Sequence, residues 1–350
     1  MFPEIDTPAI LVDLDIAEAN IDRFQAHCDK YGLKLRPHIK THKLPMLAKR
    51  QLEAGAIGIT CQKVSEAEAM ICEGGIGDVL ITFNILGTEK LTRLRALADR
   101  VRLSVVADNM ATIDGLSAAF ADAAAPLPVL VECDTGAARC GVMTPQAAAE
   151  LAAVIAARPG LAFGGLMTYP PVGQEAQVQA WLKEAKSRIE ATGLAVPVIS
   201  NGGSPGMWQA QDVPVATEYR IGTYVYNDRS LQDRGTCTWE DCALSVLVTV
   251  ISVPADTRAV IDAGSKVLTS DLLGLDGHGH VLGRPDIKLA GLSEEHGVLL
   301  ADRINLKVGD RLRIIPNHVC VVSNMLDQVQ LIRGDSALGA QTVVARGKVW

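Results

Sequence analysis

A basic run at residues 33–43 holds the best candidate for a nucleophile in this chain. It contains Arg36, His38 and Lys40, which alternation along a strand at 33–39 would place on one face. In a barrel of parallel strands both faces are covered, and a lysine there is costly unless it loses its proton. Such a lysine is a nucleophile of the kind that Schiff-base chemistry requires. The alternative is a group of solvated charges that follows an edge strand.

A turn with two adjacent glycines, at residues 200–206, is the best candidate for an anion site. Glycines let backbone N–H groups approach a ligand, flanking serines donate hydroxyls, and a following helix would add its dipole. A second donor-rich turn lies at 220–224, and together the two could hold one phosphate group. A bare Gly-Gly turn is also common without a ligand. The chain has no Walker-type lysine motif and no GxGxxG fingerprint, which argues against a nucleotide.

His318 and Cys320 stand two residues apart, after an apolar run and Pro316. On an extended segment they would share a face, where an imidazole and a thiolate could bind one borderline divalent cation. Two protein ligands leave positions open for water or substrate, which suits a catalytic metal more than a structural one. The alternative is a buried histidine beside a buried cysteine. A second pair, His278 and His280, lies in a glycine-rich stretch typical of an exposed loop.

Apolar runs alternate with amphipathic stretches over the first two thirds of the chain, and these elements must position the candidate residues. The predicted strands are 9–14, 33–39, 57–61, 79–82, 101–106, 129–133, 163–167 and 196–200. The predicted helices include 16–30, 65–73, 88–98, 109–121, 144–157 and 174–191. The alternation predicts βα crossovers, a parallel sheet and a closed (β/α)₈ barrel of the TIM type. The C-terminal ends of the strands form the active-site face of such a barrel, and here they carry polar residues.

After residue 233 the pattern changes to short β-rich runs without long amphipathic helices. These runs lie at 243–253, 259–262, 311–315, 328–332 and 342–345. The pattern predicts a C-terminal, mainly antiparallel β domain. We therefore expect a barrel domain at 1–232 and a β domain at 233–350 that carries the metal ligands.

Composition narrows the class of protein. Hydrophobic residues make up 48% of the chain, which is typical of a globular protein. The net charge of −7 argues against a nucleic-acid or anionic-membrane partner. No apolar run approaches the roughly 20 residues that span a bilayer. The N-terminus lacks the features of a signal peptide, and the eight cysteines form no CxxC pair. We expect a cytoplasmic protein with reduced thiols.

Ordered motifs run along nearly the whole chain. They are Asp6-Thr7-Pro8-Ala9, Arg36-Pro37-His38-Ile39-Lys40-Thr41-His42-Lys43, Cys61-Gln62-Lys63-Val64-Ser65-Glu66-Ala67, Asp134-Thr135-Gly136-Ala137-Ala138-Arg139-Cys140-Gly141, Gly222-Thr223-Tyr224, Asp262-Ala263-Gly264-Ser265-Lys266, Glu295-His296-Gly297 and His318-Val319-Cys320. Taken together they resemble the fold-type III pyridoxal-phosphate enzymes, and within these the D-threonine aldolase and D-serine dehydratase group. Each motif alone is weak, whereas the ordered set is specific.

The resemblance implies roles for these residues. Lys40 would carry pyridoxal 5'-phosphate, Arg139 would lie near the phenolic oxygen of the cofactor, and His38 and Tyr169 are further catalytic candidates. The other expected cofactor contacts are Tyr169, Ser200, Gly202, Gly203, Ser204, Gly222, Thr223 and Tyr224. His318 and Cys320 would bind a divalent metal, zinc, manganese or magnesium. The resemblance also implies an alanine racemase-like fold, a homodimer, and a β domain that includes the first few residues of the chain.

Two lyase reactions are compatible with this reading. A metal on the β-hydroxyl of a D-amino acid makes it either a better acid, for retro-aldol cleavage to glycine and an aldehyde, or a better leaving group, for dehydration. Cys320 resembles the dehydratases, while the strand-end motifs favour the aldolases. Tyr169 is followed by two prolines where aldolases often carry a histidine. We expect an aldolase of D-threonine-like substrates, with D-serine or 3-hydroxy-D-aspartate dehydration as the alternative.

A racemase would share the barrel and the cofactor. It needs a second base on the opposite face of Cα, normally a tyrosine of the β domain. The tyrosines fall at 31, 169, 219, 224 and 226, outside 233–350, which disfavours racemisation. A cofactor carrier without enzymatic activity would be a single barrel and would lack the second domain.

Overall fold

The structure is a computed structural model that describes residues 1–350. The strands are β1 (Ala9–Asp13), β2 (Lys34–Pro37), β3 (Ile59–Cys61), β4 (Asp78–Ile81), β5 (Arg102–Ala107), β6 (Leu127–Cys133), β7 (Leu161–Thr168), β8 (Ile199–Asn201), β9 (Glu218–Ile221), β10 (Leu244–Ala255), β11 (Arg258–Ile261), β12 (Gly279–Val281), β13 (Lys288–Leu292), β14 (Gly297–Leu300), β15 (Arg311–Pro316), β16 (Gln328–Arg333) and β17 (Ser336–Thr342). The α-helices are α1 (Leu14–Lys30), α2 (Pro45–Glu53), α3 (Val64–Ile71), α4 (Thr88–Ala98), α5 (Met110–Phe120), α6 (Pro145–Ala157), α7 (Glu175–Glu190), α8 (Arg229–Asp233), α9 (Ser265–Leu268) and α10 (Val319–Val322). The 3₁₀ segments are Ile39–Thr41, Ser204–Asp212, Thr223–Val225 and Trp239–Asp241.

Eight parallel strands, β2 to β9, form one sheet in the order β2-β9-β8-β7-β6-β5-β4-β3. A parallel bridge between His38 and Thr60 joins the end of β2 to β3 and closes the sheet. Helices α2 to α7 lie between successive strands along the chain, as right-handed βα crossovers require. The predicted (β/α)₈ barrel is confirmed.

The barrel begins one strand later than expected. The prediction that 9–14 is its first strand is wrong, because β1 pairs with β10 and β16 in the other sheet. The eighth barrel strand is β9, which closes the circuit between β2 and β8. Its four residues include Glu218 and Arg220, both buried, so it lacks the apolar run by which strands are recognised in a sequence.

The interior of the barrel has an apolar layer and a charged layer. Leu80, Val106, Leu130 and Met167 pack together as one buried cluster. Arg36 bonds the carboxylates of Asp78 at 2.5 Å and Glu218 at 3.2 Å. Burial opposes the guanidinium charge, but Glu218 and Asp78 outweigh it and raise the pKa of Arg36. These side chains connect β2 with β4 and β9.

Nine strands form the second sheet, in the order β11-β14-β13-β12-β15-β10-β1-β16-β17. All pairings are antiparallel except that of β1 with β16. All five residues of β1 are buried, so the strand nearest the N-terminus lies inside this sheet. The predicted antiparallel C-terminal β region is confirmed, with β1 as an added member.

The Asp6-Thr7-Pro8-Ala9 motif meets the Asp262 motif in this sheet. The Thr7 hydroxyl donates to Asp262 Oδ2 at 2.6 Å, and Asp262 Oδ1 accepts from the backbone N–H of Thr249 at 2.8 Å. Two motifs far apart in the sequence therefore form one hydrogen-bonded junction.

The chain divides into two compact units. One contains residues 1–23, 41–44 and 223–347, and the other contains residues 24–40, 45–222 and 348–350. Compactness does not test independent folding, so the domains predicted at 1–232 and 233–350 stay a prediction. All eight cysteines are free. The ten helices include none with the length and apolar content of a membrane span.

Candidate active site

Lys40 lies at the end of β2 with an unpaired amine. The strand stops at Pro37, and Lys40 follows in the 3₁₀ segment Ile39–Thr41, so the expected strand at 33–39 ends early. The residue is half-buried, and its amine makes no hydrogen bond or ion pair with the protein. A partly buried amine without a partner is costly, and the fold alone does not explain its presence.

Lys43, in the same basic motif, has a different environment. It is buried and adopts a φ of 53°. Its amine donates to Asn324 Oδ1 at 2.7 Å and to the carbonyl of Ala345 at 3.1 Å. This lysine anchors its surroundings, which leaves Lys40 as the candidate nucleophile of the motif.

His38 is buried at the closure of the barrel. Its backbone N–H donates to the carbonyl of Ile221 at 2.7 Å, and its ring Nε2 lies 3.1 Å from Gln62 Oε1. The Gln62 amide also donates to the carbonyl of Thr82 at 2.9 Å. Gln62 therefore fixes the His38 ring from the ends of β3 and β4.

The glycine turn follows β8, as predicted. Gly202 has a φ of 141°, and a Cβ there would lie 2.1 Å from the carbonyl oxygen of Arg220. Only glycine fits such a position. Gly203 is extended, and Ser204 begins a 3₁₀ segment instead of the expected helix. The turn thus presents backbone at close range on the C-terminal face of the barrel.

Tyr169 lies between this turn and Arg139. A Cβ on Gly203 would approach Tyr169 Cε2 to 3.1 Å, and the Arg139 guanidinium lies 4.8 Å from the centre of the Tyr169 ring. Tyr169 is 38% exposed, and Arg139 is exposed. The structure therefore brings together three residues that the sequence singled out separately.

Ser200 is engaged by protein groups. Its hydroxyl donates to Glu218 Oε1 at 2.6 Å and accepts from Arg220 Nε at 2.7 Å. Arg220 also donates to the carbonyl of Thr168. Burial lowers the pKa of Arg220 to about 10. The cofactor role expected for Ser200 stays a prediction, and its hydroxyl orients Arg220.

Glu132 is a charged residue of this face that the sequence reasoning missed, and Arg220, expected in a donor-rich turn at 220–224, lies inside β9. Glu132 is 4% exposed, and burial, with a smaller effect of Asp108, raises its pKa to about 7. The available signal was a charged residue inside an apolar run, in Val-Leu-Val-Glu-Cys and in Glu-Tyr-Arg-Ile. Buried charges of this kind cluster at functional sites.

His318 and Cys320 lie at a helix start, not on the extended segment expected. His318 is the N-cap of α10, and Cys320 is in its first turn. His318 Nδ1 lies 3.0 Å from Asp271 Oδ2, and Cys320 Sγ lies 3.1 Å from the Thr41 hydroxyl. Burial disfavours the imidazolium, but bonds to Cys320 and Asp271 outweigh it and raise the pKa of His318 to about 9.

The donor chemistry of this pair fits a divalent cation completed by other ligands. An imidazole and a thiol are donors for zinc and similar ions. The Tyr226 hydroxyl interacts electrostatically with Cys320 and is buried without a hydrogen-bond partner. A buried polar group without a partner is typical of a site that holds a ligand. No group of three or more His, Cys, Asp or Glu side chains is arranged around a metal position.

The remaining predicted contacts follow β9. Gly222 is buried, Thr223 opens the 3₁₀ segment Thr223–Val225, and Tyr224 is fully buried. The Thr223 hydroxyl lies 3.5 Å from Cys320 Sγ. Pyridoxal phosphate needs an amine for its covalent linkage and a backbone turn for its phosphate. The unpaired amine of Lys40 and the turn at Gly202 provide these groups, so the residues present fit the cofactor.

Comparison with known proteins covers both parts of the chain. Residues 12–230 match the family described as "Alanine racemase, N-terminal domain". Residues 243–332 match the family described as "Putative serine dehydratase domain". The two matched ranges follow the order of the barrel and of most of the second sheet.

Similar proteins span nearly the full length of this chain. A 3-hydroxy-D-aspartate aldolase of Paracoccus denitrificans is 35% identical over 99% of this chain and 93% of its own length. A D-threo-3-hydroxyaspartate dehydratase of Delftia sp. is 32% identical over 95% of this chain and 96% of its own. The solved D-threonine aldolase of Filomicrobium marinum has a TM-score of 0.92 and 33% identity, covering 100% of this chain and 97% of that one. The chain therefore belongs to the alanine racemase-like, fold-type III pyridoxal-phosphate enzymes, in the lyase family of the D-threonine aldolases and D-serine dehydratases.

Proposed function

We propose that this enzyme uses pyridoxal 5'-phosphate and a divalent metal to cleave D-3-hydroxy amino acids to glycine and an aldehyde. The observation that carries the proposal is the half-buried, unpaired amine of Lys40 at the C-terminal end of a barrel strand. Two of the similar proteins are aldolases of D-threonine and 3-hydroxy-D-aspartate. D-threonine-like substrates are the main expectation.

Lys40 would hold the cofactor and move a proton. When bound, pyridoxal phosphate supplies an electron sink for a bond broken at Cα. The amine of Lys40 would serve as the general base. Gln62 keeps the His38 ring in one orientation beside the barrel closure. The Nδ1 atom of this ring lies 3.4 Å from the backbone N of Lys40 and orients the turn that carries Lys40.

The glycine turn and Tyr169 bind and orient. The glycine turn would hold the phosphate, because the backbone at Gly202 and Gly203 carries no side chain. Tyr169 lies against Gly203 on one side and Arg139 on the other, so its ring shapes the pocket wall. Gly222, Thr223 and Tyr224 complete the proposed phosphate contacts.

His318 and Cys320 hold the divalent metal, which is zinc, manganese or magnesium. A bound metal polarises a substrate hydroxyl. Support comes from two solved variants of a D-threo-3-hydroxyaspartate dehydratase, in which a histidine and a cysteine two positions apart are replaced. The cysteine variant is described as being in the metal-free form. His318 and Cys320 have the same spacing.

Dehydration is the second candidate, because a D-threo-3-hydroxyaspartate dehydratase of Delftia sp. is 32% identical to this chain and a cysteine variant of such a dehydratase is described in the metal-free form. It would convert D-serine or 3-hydroxy-D-aspartate to a keto acid and ammonia. Racemisation has less support. Tyr224 and Tyr226, the tyrosines nearest the β region in sequence, are 0% exposed and offer no phenol to a partner.

Product analysis separates the reactions. The holoenzyme is incubated with D-threonine, 3-hydroxy-D-aspartate and D-serine, and glycine, aldehyde, keto acid and ammonia are measured. We expect glycine and an aldehyde in equal amounts from D-threonine. Keto acid and ammonia without glycine would assign dehydration instead, and L-allo-threonine, the product of inversion at Cα alone, would indicate racemisation.

Two further properties belong to the proposal. The family resemblance supports a homodimer, and the net charge of −7 supports a protein free of nucleic-acid and membrane partners. We place the enzyme in the cytoplasm. Its remaining partner is the small-molecule D-amino acid.

A further inference from the structure

Two carboxylates and two guanidiniums lie together at the C-terminal end of the barrel strands. Glu132 and Arg220 are the penultimate residues of β6 and β9. Asp108 and Arg139 lie on the loops that follow β5 and β6. Asp108 Oδ2 accepts from the backbone N–H of Gly141 at 2.8 Å, which joins it to the loop that carries Arg139.

Glu132 is the member of this cluster without a close partner. It is 4% exposed, and its carboxyl makes no hydrogen bond or ion pair. The charged groups that face it are Asp108, Arg139 and Arg220. The titratable thiols of Cys133 and Cys140 also lie within electrostatic reach. A buried carboxyl near two guanidiniums, yet bonded to neither, needs an explanation.

The cluster continues directly into the proposed cofactor pocket. Arg139 stacks on Tyr169, which lies against Gly203. Arg220 bonds Ser200, two residues before Gly202. Both guanidiniums that face Glu132 therefore contact residues adjoining the glycine turn.

We propose that Glu132 is a positioning residue whose carboxyl takes up a proton from solvent when the anionic cofactor binds beside Arg139 and Arg220. This inference rests on the proposed function. With Glu132 ionised, the four groups carry two charges of each sign, and an added anion leaves excess negative charge in a region of low dielectric. Protonation of Glu132 removes that excess, and the neutral carboxyl gains an O–H donor for the anion or its neighbours.

The proton is accessible near neutral pH. Burial raises the pKa of Glu132 to about 7, so the free protein already holds it about half-protonated there. A nearby anion shifts this equilibrium further towards the protonated form. With Glu132 neutral, the bound anion balances the charges of Arg139 and Arg220 instead.

Calorimetry of cofactor rebinding tests the coupling. Full-length protein freed of cofactor is titrated with pyridoxal 5'-phosphate in pairs of buffers that differ in ionisation enthalpy, which gives the number of protons exchanged. At pH 7 we expect the wild type to take up about half a proton more than Glu132→Gln, since the carboxyl starts about half-protonated. At pH 5 the difference vanishes, because Glu132 is already protonated.

Two variants serve as controls. Glu150→Gln, on the exposed face of α6, makes the same substitution outside the cluster and should match the wild type. Glu132→Asp keeps a titratable carboxyl and should retain part of the uptake. Infrared spectroscopy of the wild type gives a second readout, because a protonated carboxyl absorbs at a frequency where a carboxylate does not. This measurement replaces the comparison with Glu132→Gln if that variant does not fold.

Four outcomes decide the matter. Equal proton uptake by the wild type and Glu132→Gln at pH 7 overturns the coupling, and so does proton release attributable to Glu132. Unchanged infrared absorbance of the carboxyl on cofactor binding does the same. Failure of the wild type to bind pyridoxal phosphate overturns the proposed function itself, and the two failures are therefore distinct.

Discussion

Lys40 and Lys43 show how two lysines of one motif separate by environment. Lys43 is buried and donates to Asn324 and Ala345, whereas Lys40 is half-buried and donates to nothing. An amine without a protein partner is available to form a covalent bond to a cofactor. The proposed chemistry therefore depends on the absence of a protein partner for the Lys40 amine.

Replacement of Lys40 by alanine tests this assignment. We expect Lys40→Ala to lose the long-wavelength absorbance of lysine-bound pyridoxal together with activity, because no other amine can form the linkage. Lys49, on α2, has an amine that pairs with Glu73, and Lys49→Ala should keep both the absorbance and the activity. An absorbance spectrum of each purified protein decides, and persistence of the band in Lys40→Ala would reject the role.

The pH dependence of stability should report Glu132. A carboxyl whose pKa is raised from 4.5 to about 7 stabilises the fold below pH 4.5, and that contribution is lost as the pH rises through 7. Relative to Glu132→Gln, we expect the cofactor-free wild type to lose about 3 kcal/mol of unfolding free energy between pH 4 and 8. Urea unfolding at each pH measures this, and parallel pH profiles for the two proteins would contradict it.

Residue type and spacing singled out Lys40, Arg139 and the glycine turn, because each stands in a polar stretch after an apolar run, and their roles stay predictions. The same reasoning missed Glu132 and expected Arg220 in a turn and not in a strand. These charges lie inside strands, and whether such a side chain is buried depends on register and on the partner strands. The function of His318 and Cys320 was inferred from an extended geometry that the structure replaces with a helix start.

At the scale of elements, β9 explains both a failed prediction and a stabilising interaction. Its Glu218 and Arg220 interrupt the apolar pattern that predicts strands, so the eighth barrel strand was missed. The same residues are tolerated because Arg36 and Ser200 pair with Glu218 inside the barrel. The strand is held by charge pairing more than by apolar packing.

Arg36 is the test of that pairing. Replacing one partner of a buried ion pair leaves the other charge uncompensated, so we expect Arg36→Met to lower the unfolding free energy by about 3–5 kcal/mol. Arg188→Met removes an exposed i,i+4 pair with Glu184 and should cost less than about 1 kcal/mol. Equal effects of the two substitutions in denaturant titrations would show that the barrel charges are not paired as described.

At the scale of the whole molecule, the proposed cofactor lysine and the proposed metal ligands belong to different compact units. Lys40 belongs to residues 24–40, and His318 and Cys320 belong to residues 223–347. Different side chains would hold the cofactor linkage and the metal, so the two are experimentally separable. Each can be removed while the other is monitored.

Chelation should exploit this separation. Because the proposed metal acts on the substrate hydroxyl and not on the cofactor linkage, we expect chelator-treated enzyme to lose at least tenfold in activity and to keep its pyridoxal absorbance. Zinc, manganese and magnesium are then added back separately, and the ion that restores activity is identified. Full activity in metal-free protein would remove His318 and Cys320 from the mechanism.

The buried position of β1 inside the second sheet makes this strand important for stability. Leu11 is 0% exposed, so we expect Leu11→Ala to lower the unfolding free energy by about 2–5 kcal/mol. Leu338→Ala, on the edge strand β17 where the side chain is 52% exposed, should cost under about 1 kcal/mol. Thermal or urea unfolding of both variants measures the difference, and comparable losses would show that β1 is not central.

During synthesis β1 emerges before the barrel strands, yet its neighbours β10 and β16 are translated only after all eight of them. For that interval an apolar segment with two open edges remains unpaired in the nascent polypeptide, where it is a template for aggregation. The barrel strands meanwhile become available in order and pair with near neighbours. The second sheet is therefore assembled around a strand that stays unpaired while the whole barrel is translated.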